Sequence, residues 1–119
     1  MYKPRIVITS GEPAGIGPDA CVVLAQSAWD ADLVVAGDAD VLGSAAASLN
    51  LPLKIELYEP TGAVSSHRAR TLRVLHNPTA VPVVAGRLDV RNAKYVLQML
   101  DRACDGCSNG EFAAMVTAP

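Results

Sequence analysis

The residues best placed to do chemistry lie together near the start of the chain, in Ser10-Gly11-Glu12-Pro13-Ala14-Gly15-Ile16-Gly17-Pro18. They follow a short β-branched run and precede an apolar stretch, so they read as a strand-to-helix turn. Glycines let a backbone approach a ligand closely, and exposed N–H groups at a helix start can hold an anion. The spacing here is Gly-x-x-x-Gly-x-Gly. It matches neither the dinucleotide fingerprint Gly-x-Gly-x-x-Gly nor a Walker A loop, which requires Gly-Lys-Ser/Thr. Glu12 would repel a phosphate, and Pro13 and Pro18 each remove an N–H donor. These features argue against a plain phosphate cradle. Two readings stay open: a tight turn that needs its glycines, or a ligand loop. Such a loop would offer a carboxylate or lie against a nicotinamide or a ribose.

Other reactive side chains give weaker signals. Asp38 stands about 20 residues after Gly17, where a dinucleotide fold places its ribose-binding acid. The glycine spacing does not support that fold, so Asp38 reads as a helix cap. Cys104-Asp105-Gly106-Cys107 matches Cys-x-x-Cys. With no second pair and no nearby histidine, it is a poor zinc signal. It also falls at the end of its helix, not at the start, where the dipole would lower a thiol pKa. Cys104 is expected in the core. His67 and His76 are expected in surface loops, with no ligand set around them. Arg68, Arg70 and Arg73 come closest to a basic cluster, but no aromatic side chains are interleaved to stack bases.

Elements that would position these groups follow from the apolar pattern. Arg5-Ile6-Val7-Ile8-Thr9 reads as a buried strand. Pro18 and Asp19 suit the first turn of a helix with an apolar body from Cys21 to Trp29. Asp32 to Gly37 is a second strand. Leu42, Ala45, Ala46 and Leu49 mark one face of a second helix, closed by Asn50-Leu51-Pro52. Leu53 to Tyr58 is a third strand, Glu59 to Ala69 a loop, and Thr71 to Leu75 a further strand. His76 to Gly86 is irregular, with a short extended piece at Val83-Val84. The clearest helix spans about Val90 to Cys104. Ala93, Val96, Leu97, Leu100, Ala103 and Cys104 form its apolar face, and Gly106 or Gly110 stops it. Phe112 to Thr117 is a final buried strand. Strands alternating with helices predict an α/β fold with a largely parallel sheet covered on both faces.

Composition bounds the rest. The 119 residues, half of them hydrophobic with a net charge of −2, suffice for one small domain. Neither disorder nor nucleic-acid binding is indicated. No apolar run approaches the ~20 residues a membrane helix needs. Met1-Tyr2-Lys3-Pro4-Arg5 lacks the features of a signal peptide. Three cysteines make no disulfide framework. A cytoplasmic protein without membrane or nucleic-acid partners is expected. Thr117-Ala118-Pro119 ends where a parallel strand would hand over to a functional loop, so the expectation is a partial domain, 1–119, continued beyond Pro119.

Val7 to Asp19 strongly resembles the opening of the 4-hydroxythreonine-4-phosphate dehydrogenase family. Leu33-Val34-Val35-Ala36-Gly37-Asp38-Ala39, Ala103 to Phe112, and Val116-Thr117-Ala118-Pro119 resemble it in the same order. The resemblance implies an α/β/α layered fold of the isocitrate/isopropylmalate dehydrogenase type, here incomplete. It implies oxidation of 4-phosphooxy-L-threonine with NAD or NADP and a divalent metal (Zn, Mg or Co), on the way to pyridoxal 5′-phosphate. It also implies a homodimer with a cleft between two domains. The family's metal and substrate-phosphate groups follow the Thr-Ala-Pro segment, so no metal ligand and no catalytic residue is assigned to this chain. Gly11, Glu12, Gly15 and Gly17 are the candidate cofactor-side loop, and Thr117 is the candidate substrate contact. The alternatives are a related dehydrogenase of another 4-phosphorylated sugar acid, such as D-threonate or D-erythronate 4-phosphate, and a non-catalytic α/β binding module.

Overall fold

A computed structural model describes residues 3–119; Met1 and Tyr2, part of the N-terminal reading above, lie outside the described residues. Five strands form one all-parallel sheet: β1 (Arg5–Thr9), β2 (Asp32–Gly37), β3 (Lys54–Leu57), β4 (Thr71–His76) and β5 (Ala114–Thr117). Their order is β3-β4-β2-β1-β5. Every residue of β2 is buried, as expected of a central strand sandwiched between helices. Helices α1 (Gly17–Ala25) and α2 (Ala39–Ser48) cover one face, where Cys21, Ala25 and Leu42 pack on Ile8, Leu33, Val35, Leu72 and Val74. Helix α3 (Ala93–Ser108) covers the other, setting Tyr95, Met99 and Ala103 on Val7, Val34 and Ala36. The strand alternation explains the split, since neighbouring residues of β1 and β2 point to opposite faces. The expected α/β/α layering is thus present.

The element order matches the sequence reading, and the differences are local. Helix α1 ends at Ala25, and Trp29 is an exposed residue paired in an isolated bridge with His67. Leu53 and Tyr58 flank β3 without joining it. A 3-10 turn, Val90–Asn92, precedes α3, which runs through the Cys-x-x-Cys segment to Ser108. Of the two expected stops, Gly106 stays inside the helix and Gly110, with φ of 85°, follows its end. Gly106 is buried because the Phe112 ring lies where a Cβ would project.

Three burial expectations are overturned. Cys104 is exposed, because α3 is rotated so that Tyr95, Met99, Ala103 and Gly106 face the sheet; of the expected apolar face only Ala103 is fully buried and Val96 packs beside it. The larger Tyr and Met side chains fill the space over β1 and β2, and the Tyr95 hydroxyl finds a backbone partner there. His67 is buried, with its Nε2 3.1 Å from the Ala25 carbonyl. Strand β5 is a largely exposed edge strand, with Val116 53% exposed.

An ion network fastens three strands at the amino end of the sheet. The Asp32 carboxylate, 1% exposed, accepts from Arg5 Nε at 2.9 Å and Arg73 NH1 at 2.7 Å. Arg5 also donates to the Tyr58 hydroxyl, which donates to Glu111 at 2.8 Å. Arg102 closes the chain with two bonds to Glu111. The Arg102 bonds outweigh burial and hold the Glu111 carboxyl below its usual range, with Tyr58 adding to the effect.

Candidate functional site

The sheet changes winding direction at β1. From β1 the chain passes through α1 to β2 on one side, while β5 reaches the other side of β1 by way of α3 on the opposite face. In open α/β sheets, ligands bind beyond the carboxyl ends of the strands at such a switch point. Two segments leave the sheet there: the glycine-rich turn after β1 and Ala118-Pro119 after β5.

These two segments touch. The Glu12 N–H donates to the Pro119 carbonyl at 3.0 Å, and the Ala118 N–H donates to the Thr9 carbonyl at 3.0 Å. Gly11, with φ of 73°, leaves no room for a side chain, because a Cβ would strike the Ala118 and Pro119 carbonyls. Gly17 is buried against the Ser10 carbonyl, and a Cβ there would collide with it. Gly15 is exposed at the tip, where its N–H closes a turn onto the Glu12 carbonyl at 3.0 Å. The Glu12 carboxylate accepts from the Ala14 N–H at 3.2 Å, so it supports the turn from within. Three of the turn's N–H groups therefore have partners inside the protein.

Thr117 pairs with Thr9 across β1 and β5 and is exposed. Thr9 is fully buried, and its Oγ1 has no hydrogen-bond partner. The structure thus brings Gly11, Glu12 and Gly17 to the end of β5, two residues from Thr117, while Gly15 stands apart at the turn's outer side.

Asp38 organises the neighbouring strand end. It caps α2, with Oδ1 accepting from the Asp40 N–H at 2.8 Å and the Val41 N–H at 3.4 Å. Its Oδ2 accepts from the Thr79 N–H at 2.8 Å, tying the segment after β4 to the end of β2. Burial pushes this carboxyl up, but the N–H groups of Thr79, Asp40 and Val41 and the nearby His76 outweigh it, and the net shift is downward. The Asp38 N–H donates to the Tyr95 hydroxyl at 2.8 Å. His76 Nδ1 accepts from the Ala39 N–H at 3.0 Å. Asn92, buried at the start of α3, accepts from the Ala80 and Val81 N–H groups at 3.0 and 3.1 Å. The cap role of Asp38 was readable from its place before an apolar helix. Its bond to Thr79, and the roles of Tyr95 and Asn92, join residues far apart in sequence and carry no local signal.

Two grooves flank this edge. One, of about 570 Å³, lies between the starts of α1 and α2 and the segment 78–85, and shares Pro13, Gly15 and Pro18 with the turn. Asp19, Asp38 and Asp40 give it an acidic wall. The other, of about 360 Å³, opens on the α3 side between His76, Asn77, Gln98 and Arg102. Among the described residues, no group of three or more His, Cys, Asp and Glu side chains gathers to hold a metal ion. No described helix is long and apolar enough to cross a membrane.

The family model described as pyridoxal phosphate biosynthetic protein PdxA matches residues 29–119. A 4-hydroxythreonine-4-phosphate dehydrogenase of Serratia proteamaculans is 54% identical over 115 residues, which are 97% of this chain and 35% of that protein. One from Erwinia tasmaniensis is 53% identical over 119 residues, 36% of its length. The crystal structure of a 4-hydroxythreonine-4-phosphate dehydrogenase from Klebsiella pneumoniae superposes with a TM-score of 0.83 at 27% identity, covering 98% of this chain and 37% of that one. One from Burkholderia phymatum gives 0.79, also at 27% identity, covering all of this chain and 37% of that one. The chain spans about a third of the length of the curated relatives it matches.

Proposed function

The chain belongs to the family of pyridoxal phosphate biosynthetic protein PdxA, and from that premise we propose that it supplies one wall of a dehydrogenase cleft. The proposed reaction is oxidation of 4-phosphooxy-L-threonine at its hydroxyl-bearing carbon. The β-keto acid that results loses CO₂ to give 3-amino-2-oxopropyl phosphate. The observation that supports this most strongly is the identity of 54% to a protein bearing that dehydrogenase name, over nearly the whole chain.

When bound, NAD or NADP accepts the hydride and a divalent metal polarises the hydroxyl. The residues of this chain fit a supporting role for the cofactor. Gly11 and Gly17 keep side chains away from the switch point, and Glu12 stiffens the turn that borders it. The turn is read as lying against the cofactor's apolar or ribose portion, since the N–H groups of Glu12, Ala14 and Gly15 serve its own fold. Thr117 is read as a substrate-side contact from the end of β5. The described residues do not fit a metal on their own. The metal ligands and the groups holding the substrate phosphate are assigned to the two thirds of the relatives' length that this chain does not match. On this reading residues 1–119 are part of one domain, and the complete enzyme is a cytoplasmic homodimer.

A chimera tests the proposal. Residues 1–119 replace the matching segment of the Serratia relative, and reduction of NAD and NADP is followed with 4-phosphooxy-L-threonine. Turnover is expected in the chimera and not in the 119-residue chain alone. A folded chimera with no turnover, or an isolated chain that is active, overturns the assignment. Higher kcat/KM with D-threonate or D-erythronate 4-phosphate would favour the second substrate class within the same fold.

A further inference from the structure

Thr9 ends β1 at the switch point, and its Oγ1 is the one buried side-chain polar atom without a hydrogen-bond partner among the described residues. Such an atom costs free energy, and valine fills nearly the same space without that cost. The neighbours of Thr9 show where a partner can stand. Residues paired across a parallel sheet project to the same face. Thr9 is paired with Ala36 on one side and Thr117 on the other, and Ala36 is paired with Leu75. This row lies on the α3 face, as do Val7 and Met115 two residues earlier on β1 and β5. Ala36 and Leu75 offer no polar side chain. The adjacent Ser10 hydroxyl is directed to the Met99 sulfur, at 3.9 Å. Within the row, Thr117 alone offers a second hydroxyl, and its exposed side chain can change rotamer. Neighbouring strands lie about 4.8 Å apart, a gap that hydroxyls on facing Cβ atoms close to a hydrogen bond.

We propose that Thr9 is a positioning residue for Thr117. The Thr9 O–H donates to the Thr117 Oγ1, and the Thr117 O–H is thereby aimed outward, as a donor to an acceptor oxygen of the substrate. The direction of the pair follows from access. Thr9 is closed off from solvent, whereas Thr117 stands at the open edge of the sheet, where a ligand oxygen can reach it. A hydroxyl that accepts from behind keeps its own proton to give forward, and each bond of such a chain strengthens the next. The pair also lies beside the glycine turn, since the Thr9 carbonyl accepts from the Ala118 N–H and the Glu12 N–H donates to the Pro119 carbonyl. The aim toward substrate rests on the reading of Thr117 as a substrate-side contact, whereas the hydroxyl pair does not.

Two double-mutant cycles test the proposal. In urea titration of the 119-residue chain, Thr9→Val and Thr117→Val should be coupled by about twofold or more in the unfolding equilibrium constant. In the chimera, Thr117→Val should raise KM for 4-phosphooxy-L-threonine by about tenfold and leave KM for the dinucleotide unchanged. Thr9→Val should raise the substrate KM by about threefold or more and add nothing further in the Thr117→Val background. Thr9→Ser, which keeps the hydroxyl, should restore most of that loss. A Thr9→Val effect that adds in full to Thr117→Val, or that moves both KM values alike, is one of packing and overturns the proposal. A urea cycle without coupling overturns it equally. Coupling in urea beside a substrate KM indifferent to Thr117→Val overturns the substrate reading of Thr117, and the positioning role with it, while the hydroxyl pair stands. An inactive chimera overturns the dehydrogenase assignment, and the urea cycle then decides the hydroxyl pair by itself.

Discussion

Asp38 joins more of the candidate site than any other single side chain, since three N–H groups from two segments end on its carboxylate. Asp38→Ala removes the α2 cap and the bond to Thr79 together, and should lower unfolding free energy by about 2 kcal/mol in urea titration. The pH dependence follows from the downward shift. A carboxyl whose native pKa lies below its unfolded value of about 3.9 contributes its full stability above that value. The contribution is lost as pH falls through the lower native pKa. Between pH 6 and pH 2.5 the melting temperature of the natural chain should therefore fall further than that of Asp38→Asn. Thiol labelling at low micromolar concentration reads burial directly. Cys104 should react first and Cys107 more slowly, while Cys21, buried and pushed up to about 11, should react only on unfolding. At this scale the sequence disclosed residues whose role is local, such as the cap at Asp38 and the glycines of the turn. It misplaced Cys104 and His67, whose burial depends on which way a helix turns and on a bridge to Trp29.

Elements hold their places through a few cross-links between loops and strands. Asn92 binds the segment 78–85 to the start of α3, and that segment roofs the larger groove. Asn92→Ala should speed hydrogen exchange at Ala80 and Val81 by tenfold or more, while the amides of β2 keep their protection; mass spectrometry of exchanged peptides resolves the two. The Arg5–Asp32–Arg73 network does comparable work for strands. Asp32→Ala leaves two guanidinium groups facing each other, one buried and one half-buried, and should destabilise the chain by about 3–5 kcal/mol. Replacing Arg5 and Asp32 together with Met and Leu should recover much of that loss in the same urea assay. The strands and helices were legible because their apolar periods are clean, as in Arg5–Thr9 and Asp32–Gly37. The orientation of α3 was not. Of its expected apolar face, Ala103 and Val96 pack toward the sheet while Ala93, Leu97 and Cys104 are exposed, and a period count cannot fix that rotation.

The molecule as a whole is a sheet whose two edges differ. Both edge strands have four residues, but β3 carries Lys54 and Glu56, whereas β5 presents Ala114 and Val116 to solvent. Exposed edge strands and apolar patches promote association. Val116→Lys, on that open face, should raise the protein concentration at which light scattering sets in, with little change in urea midpoint. The switch point at β1 emerged from strand order, which sequence alone left undetermined. Once β5 is known to lie beside β1, the meeting of the glycine turn with Ala118-Pro119 follows from the parallel register.

The bond from the Glu12 N–H to the Pro119 carbonyl links residues separated by nearly the whole chain. Contacts of such separation form late, because the intervening chain must first be ordered. On the ribosome, β1 and β2 can pair as soon as both have emerged. The turn that follows β1 gains its Pro119 anchor only after β5 is released. The glycine turn, made early and outwardly a finished site, is therefore completed only after β5 has been made.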